Sequence, residues 1–295
     1  MIARLFSEIV NGVWMLDKAT ADGLLPLITS LLKGEFDSNK IDFSQERLKS
    51  HNLRFATFSS GIYRISDYGQ IAPPEKAPEN SISVINITGI ITKYDQYSGP
   101  AGTETKINLL QRADANKDIV AHILLIDSPG GEGYAYMGFA DAIRKINKPV
   151  IAFIDDMAAS AAYGLAAAAD SIYANADMAK AGSIGTYVQV IDYERFWEKE
   201  GLKIHEIYAT VSKDKNRPYY EAIKGNPDMI RADVDIFNEQ FLKNIENDRG
   251  NALNSKRNQW GTGKMFYAED ALKLGLIDGI LSLEETIKTI YEEII

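Results

Sequence analysis

The sequence predicts an α/β protein in which strands and helices alternate and the strands lie parallel in one sheet. Ile119–Asp127 is an almost unbroken apolar run, and Pro149–Ile154 is a second one. Runs of this kind are typical of strands that are covered on both faces. Between them, Gly131–Ile146 has apolar side chains at helical spacing. A strand, a helix and a second strand in this order form a β-α-β unit, whose right-handed crossover makes the strands parallel.

Residues 1–80 differ from the rest of the chain. Thr20–Lys33 predicts a helix, with Leu24, Leu27, Ile28, Leu31 and Leu32 on one side. Ala72–Asn80 contains three prolines and several charges, which is typical of a linker. We therefore expect a small N-terminal helical extension and linker over residues 1–80 and a main domain over residues 81–295.

The other predicted elements continue the alternation of strands and helices. The predicted strands are Ile82–Thr92, Ser171–Ala174, Thr186–Ile191 and Lys203–Tyr208. The predicted helices are Lys106–Ala113, Ala159–Ala169, Tyr193–Glu200, Pro227–Arg249, Ala268–Leu274 and Leu283–Glu293.

Composition excludes several classes of protein. The chain has 295 residues, of which 45% are hydrophobic and 25% charged, as in an ordinary globular protein. Its net charge of -9 argues against binding to a nucleic-acid backbone. There are no cysteines and only three histidines, His51, His122 and His205. We therefore expect no disulfide, no cysteine nucleophile, and no metal or other cofactor.

Two features bear on the compartment. The first thirty residues carry Glu8, Asp17 and Asp22, which a secretory signal would not contain. The longest apolar uncharged run, Met157–Ala169, is too short to span a bilayer. The sequence favours a cytoplasmic protein without a membrane anchor.

A first candidate motif is Asp127–Gly131, which follows one predicted strand and precedes a helix. Its two adjacent glycines allow a turn with exposed backbone N–H groups. Such groups at the start of a helix stabilise a developing oxyanion. The same sequence is also typical of an ordinary strand-to-helix turn.

A second candidate is Ser160, which has alanines on both sides and lies at the predicted start of a helix. Small neighbours let a substrate carbonyl approach, and the helix dipole favours negative charge there. The alternative is a serine that caps the helix. A nucleophilic serine needs a base, and His122 and His205 lie inside predicted strands. Lys213, in a polar loop, is a base only if burial or nearby positive charge keeps its amine neutral; otherwise it is a solvated surface lysine.

Together, the segments resemble the signal peptide peptidase A family of Ser–Lys peptidases, which share the crotonase/Clp-protease fold of stacked β-α-β units. The resemblance covers roughly residues 82–290. It is carried by SPGG at Ser128–Gly131, AAS at Ala158–Ser160, GSIG at Gly182–Gly185, the loop Lys213–Pro218 and the stretch Ala268–Gly279.

The resemblance implies a role for each matching residue. Ser160 matches the nucleophile, Lys213 the general base, and Ser183 a serine that orients the lysine amine. The backbone N–H groups of Gly131 and Ala161 match the oxyanion donors, with Gly130 beside them.

The chain departs from the family pattern in two places. Ala161 and Ala162 stand where relatives often have glycines, although alanine keeps the space small and still supplies an N–H. The lysine loop lacks the usual preceding glycine, and Lys215 lies two residues from Lys213. The assignment of Lys213 as the base therefore depends on registration with Asp214 and Pro218.

The implied reaction is peptide-bond hydrolysis through an acyl-enzyme, with polypeptides as substrates. We favour a phage or prophage protease that cleaves scaffold or capsid proteins during head maturation. Clearance of signal peptides in the cytoplasm is the alternative with the same chemistry. A crotonase-like acyl-CoA enzyme and an inactive assembly protein are alternatives of other classes. Because relatives form rings or domes that enclose their sites, a homo-oligomer is expected.

Overall fold

The computed structural model describes residues 14–16, 29–30, 33, 52–59, 62–66, 71–95 and 100–294. The predicted helix Thr20–Lys33 lies almost entirely outside the described residues. His51 also lies outside them.

The described chain alternates strands and helices along most of its length. Its strands are β1 (Trp14–Leu16), β2 (Arg54–Ser59), β3 (Ile62–Ile65), β4 (Ser81–Thr88), β5 (Ile119–Ser128), β6 (Gly130–Glu132), β7 (Val150–Ala159), β8 (Ser171–Ala174), β9 (Lys180–Gly182), β10 (Met265–Tyr267) and β11 (Gly279–Ile280). Its α-helices are α1 (Thr103–Ala115), α2 (Gly133–Ile143), α3 (Ala161–Ala167), α4 (Glu194–Lys199), α5 (Arg217–Ile223), α6 (Asp228–Arg249), α7 (Arg257–Trp260), α8 (Ala268–Leu274) and α9 (Leu283–Ile294).

One sheet organises the described part of the molecule, with strand order β10-β9-β7-β5-β4-β2-β3. Its centre is parallel, because β4 pairs with β5 and β5 pairs with β7 in parallel register. The crossovers contain α1 and α2, as the β-α-β prediction requires. The predicted α/β fold is therefore confirmed.

The sheet has antiparallel pairs at both ends, where β10 pairs with β9 and where residues before position 80 add β2 and β3. β2 pairs antiparallel with both β3 and β4. Part of the N-terminal extension thus continues the main sheet, while the boundary near residue 80 stays a prediction.

Two strands, β8 and β9, pair with different parts of the same edge of β7. β8 pairs in parallel with the first part of that strand, from Ile151 to Ile154. β9 pairs with its last part, from Met157 to Ala159. Two different strands therefore follow one another along the same edge, and Ser160 comes directly after the point where the second one pairs.

The core fills both faces of the sheet. On one face, apolar residues of β4, β5 and β7 belong to a cluster with buried residues of α1, α2 and α3. On the other face, a smaller cluster includes Ile287, Ile290 and Tyr291 of α9. Coverage of both faces agrees with the nearly continuous apolar sequence of β5 and β7.

Two predicted strands are wrong. Neither Thr186–Ile191 nor Lys203–Tyr208 forms a strand, so His205 does not lie in one either. β-branched residues predict an extended conformation but do not specify the strand that would pair with it. Every residue of the second segment is exposed to solvent, including its apolar side chains.

The predicted helices from residue 193 onward agree with α4, α6, α8 and α9. Gly275 ends α8 in the left-handed conformation with φ of 77°, as a glycine at that position does. None of the described helices is both long enough and apolar enough to cross a membrane.

Candidate active site

Ser160 lies in a strained turn between β7 and α3. Its φ of 55° and ψ of -115° are close to those of the first central residue of a type II′ turn, a position that favours glycine. Its backbone N–H donates to the Gly182 carbonyl at 2.7 Å, and its carbonyl accepts from the Gly164 N–H at 2.9 Å. These bonds hold a conformation that costs a non-glycine residue about 1–3 kcal/mol.

The Ser160 hydroxyl does not cap α3. Its Oγ lies 3.3 Å from the carbonyl oxygen of Gly185, and within the described residues it makes no capping hydrogen bond to the helix. The flanking alanines on both sides are fully buried, and Ser160 itself is 1% exposed. The capping alternative considered from the sequence is therefore not what the structure shows for this side chain.

The two glycines of the SPGG motif are the first two residues of β6 and are enclosed by main chain on both edges. A Cβ atom on Gly130 would lie 2.1 Å from the carbonyl oxygen of Met15 and 2.8 Å from that of Ala159. A Cβ atom on Gly131 would lie 1.9 Å from the carbonyl oxygen of Ile91. No larger residue fits either position, which explains why the motif has two consecutive glycines.

The backbone of β6 has two distinct sides. The Gly130 carbonyl accepts from the Ile91 N–H at 2.8 Å, and the Glu132 N–H donates to the Ile91 carbonyl at 2.9 Å. Because neighbouring residues of a strand present their polar groups to opposite edges, the Gly131 N–H faces away from Ile91.

The carboxyl ends of β5 and β7 bring the glycines to Ser160. Ser128 of β5 pairs with Ala158 of β7. The Ser128 hydroxyl donates to the Gly89 carbonyl at 2.6 Å and accepts from the Gly130 N–H at 3.1 Å, which fixes the turn. Ala161 is the first residue of α3, so its N–H has no acceptor within the helix.

The GSIG segment packs beside Ser160. Two of its carbonyls, those of Gly182 and Gly185, contact the Ser160 backbone and hydroxyl as described above. Gly182 has φ of 132° and Ser183 has φ of 52°. The Ser183 N–H donates to the Lys264 carbonyl at 2.8 Å, so this segment is fastened to the C-terminal part of the chain.

Lys213 is not brought to Ser160. It is exposed in a turn before α5, and it makes no hydrogen bond or ion pair with another residue that the structure describes. Lys215 is exposed in the same turn, and Asp214 pairs with Arg217 at 3.3 Å. The structure thus assembles Gly130, Gly131, Ser160, Ala161 and Ser183 in one place and leaves the predicted base outside it.

A contact between a buried serine, a buried histidine and a partly exposed aspartate was not predicted from the sequence. Ser83 Oγ lies 2.7 Å from His122 Nδ1, and His122 Nε2 lies 3.6 Å from Asp114 Oδ1. Burial lowers the pKa of His122 to about 4, although Asp114 opposes this shift. Ser83 and His122 are fully buried within adjacent strands, so substrate has no access. The group is structural, and only the pairing of β4 with β5 creates it.

Lys106 is a second polar residue that sequence reasoning missed. Its Nζ donates to the Ala101 carbonyl at 2.7 Å, and burial lowers its pKa to about 8. It lines a small cavity together with Ile91 and Thr92. A single lysine on a helix gives no sequence signal of this burial.

The sequence of this chain matches a family of known proteins. The description "Peptidase family S49" matches residues 142–294, which is more than half of the chain. The chain therefore belongs to peptidase family S49, and the predicted class of enzyme is the class of its family. The match contains Ser160, Ser183 and Lys213.

The chain is also similar to individual proteins, at low sequence identity. The chain is 26% identical over 214 residues to capsid assembly protease C of Escherichia phage lambda, covering 70% of this chain and 48% of the relative. It is 22% identical over 281 residues to a putative signal peptide peptidase of Enterococcus faecium, covering 92% and 77%. It spans between 34% and 58% of the length of three curated relatives that it matches.

A solved structure is similar as well. It is a mutant of a membrane-bound stomatin-specific protease in complex with a substrate peptide, at 21% identity and a TM-score of 0.43, covering 71% of this chain and 80% of that one.

Proposed function

We propose that this protein is a serine endopeptidase in which Ser160 attacks the scissile carbonyl and forms an acyl-enzyme. The observation that carries the proposal is the Ser160 turn. A strained backbone presents a hydroxyl that does not cap its helix, next to N–H groups of β6 and α3. A strained strand-to-helix turn is how other hydrolase folds expose a nucleophilic serine. Membership of peptidase family S49 supports the same reaction.

In this mechanism the N–H groups of Gly131 and Ala161 stabilise the oxyanion, and Gly130 shapes the turn beside them. Their positions at the ends of β5 and β7 support this role. Lys213, with its amine uncharged, accepts the Ser160 proton and then protonates the leaving amine. Ser183 orients that amine. Water attacks the ester by the same route and releases the second product.

The proposed base reaches the site when copies of the chain associate. Lys213 follows a segment without regular secondary structure, whose apolar side chains are between 54% and 94% exposed: Leu202, Ile204, Ile207 and Val211. Burial of such a patch against a second copy is favourable, and we propose a homo-oligomer in which this packing brings Lys213 to a Ser160 hydroxyl. Ile207→Asp should reduce both assembly, measured by sedimentation velocity, and peptide hydrolysis.

The reaction is tested with a fluorogenic peptide and with a fluorophosphonate probe that labels activated serines. Ser160→Ala should abolish labelling and lower kcat at least about 1,000-fold. Lys213→Met should lower kcat to a similar extent, whereas the matched control Lys215→Met should retain activity. Turnover by Ser160→Ala at the wild-type rate would exclude the mechanism, and loss of activity only in Lys215→Met would move the base to that residue.

For the biological role we propose cleavage of scaffold or capsid proteins during phage or prophage head maturation in the cytoplasm. The similarity to a phage capsid assembly protease supports it. Signal-peptide clearance is the second candidate, because the similarity to a putative signal peptide peptidase extends over 92% of this chain. Incubation with purified scaffold protein and, separately, with a synthetic signal peptide distinguishes the two roles. An acyl-CoA enzyme would act on neither substrate and would leave Ser160 unlabelled.

A further inference from the structure

The short strand β1 is paired with the strand that carries the candidate oxyanion glycines. β1 and β6 run antiparallel, with Trp14 opposite Glu132, Met15 opposite Gly131 and Leu16 opposite Gly130. Together they form a separate two-stranded sheet. A segment near the start of the chain therefore lies beside residues that are more than one hundred positions away in sequence.

β1 occupies the free edge of β6. Ile91 takes the opposite edge through its hydrogen bonds with Gly130 and Glu132. Gly131 therefore directs its N–H toward β1, and its partner there is Met15. The same N–H is the proposed oxyanion donor, so the main chain of Met15 lies where the main chain of a bound substrate would lie.

The position of the Met15 carbonyl supports this placement. The carbonyl oxygens of Met15 and Ala159 both lie close to the point that a Cβ of Gly130 would take, at 2.1 and 2.8 Å. Ala159 directly precedes Ser160. β1 thus passes next to the turn that holds the candidate nucleophile.

The Met15 side chain anchors the strand. It is fully buried and belongs to the main core cluster. A three-residue strand paired on one edge is weak by itself, so burial of this side chain is the main local contribution to its placement. A long, unbranched apolar side chain therefore fits at this point beside β6.

We propose that β1 is an intramolecular occupant of the substrate-binding edge, so that polypeptides must displace it in order to pair with β6. This inference rests on the proposed peptidase function. An extended peptide that adds to an exposed strand edge gains main-chain hydrogen bonds, with side-chain pockets setting its specificity. A tethered strand competes at a local concentration of about 1 mM without leaving the molecule.

Full-length Met15→Asp tests the proposal, with Met15→Leu as the matched control. For a local concentration of about 1 mM and a local dissociation constant of about 0.1 mM, release of β1 should lower KM about tenfold at unchanged kcat. Met15→Leu should keep the wild-type KM. A synthetic peptide with the sequence of residues 10–20 should compete with substrate in Met15→Asp, and the same peptide with aspartate in place of the methionine should not.

Amide hydrogen exchange provides a readout that does not require activity. The Gly131 amide should exchange faster in Met15→Asp than in the wild type, because only its N–H faces β1, and Met15→Gly repeats the comparison without adding a charge. Faster exchange with an unchanged KM would overturn the competitor role, and unchanged exchange in both variants would overturn the placement of β1. If the wild type neither hydrolyses peptides nor reacts with the fluorophosphonate probe, the proposed function fails, while hydrogen exchange still decides where β1 lies.

Discussion

Glycine at position 160 should give a more stable protein than alanine, which is the reverse of their usual order in a helix interior. The backbone of Ser160 has φ of 55° and ψ of -115°. A residue with a Cβ atom pays about 1–3 kcal/mol for such a conformation. Glycine avoids this cost but loses about 0.5–1 kcal/mol more than alanine through its greater freedom in the unfolded state. Ser160→Gly should therefore exceed Ser160→Ala in unfolding free energy by about 1 kcal/mol.

The comparison cancels other effects, because both variants lose the hydroxyl and its contact with the Gly185 carbonyl. Both also lack the proposed nucleophile, so self-digestion does not distort the measurement. Equilibrium urea unfolding gives the free energies, and the expected difference corresponds to a shift of about 2 °C in Tm for a chain of this size.

A matched control lies two residues further along the chain. Ala162 is fully buried in α3, where glycine should destabilise by at least about 1 kcal/mol. If glycine is more stable than alanine at position 160 but less stable than alanine at position 162, the backbone of Ser160 is strained. If Ser160→Gly is no more stable than Ser160→Ala, the strain argument is refuted, because a Cβ atom then has no conformational cost at this position.

Two further predictions concern buried ionisable side chains. His122 is held neutral because burial lowers its pKa from 6.5 to about 4. Below pH 6.5 the unfolded chain therefore binds a proton that the folded chain does not, and the unfolding free energy should fall by about 3 kcal/mol as the pH drops to 4. Urea unfolding of the wild type and of His122→Gln should give different slopes of unfolding free energy against pH between pH 6.5 and 5. Equal slopes would contradict the burial of a neutral histidine. Arg249 donates to the Gly275 carbonyl at 3.1 Å and pairs with Asp278 at 2.7 Å, with its side chain 4% exposed. Arg249→Met should lower the unfolding free energy by about 3–5 kcal/mol in the same assay. The exposed control Arg231→Met should lower it by less than about 1 kcal/mol. Similar losses of stability in the two variants would exclude a structural role for the pair of Arg249 and Asp278.

The sequence predicts the part of the fold and of the site that local pattern determines. The continuous apolar runs predict β5 and β7, and a serine among alanines after β7 marks the start of α3. Paired glycines at positions 130 and 131 predict a turn after β5, whereas the close main-chain contacts on both edges of β6 were not predicted.

Features that depend on tertiary pairing were not predicted. His122 meets Ser83 only because β4 and β5 pair in one particular register. The extended segment Lys203–Tyr208 has a strand-like composition but no strand to pair with in the described chain. The pairing of β1 with β6 joins segments that no local pattern connects. Lys213 was predicted from its motif, and among the described residues no hydrogen bond or ion pair positions its side chain.

The fastening of GSIG to the C-terminal region has a consequence for protein synthesis. Ser183 and Ile184 bond to Lys264 and Gly263, and β9 pairs with β10 around Phe266. The GSIG segment, which contacts Ser160, therefore lacks these hydrogen bonds until residues 263–267 have left the ribosome. A nascent chain that already contains every proposed catalytic residue would therefore still have an unfinished site, and cleavage would begin only after these later residues have emerged.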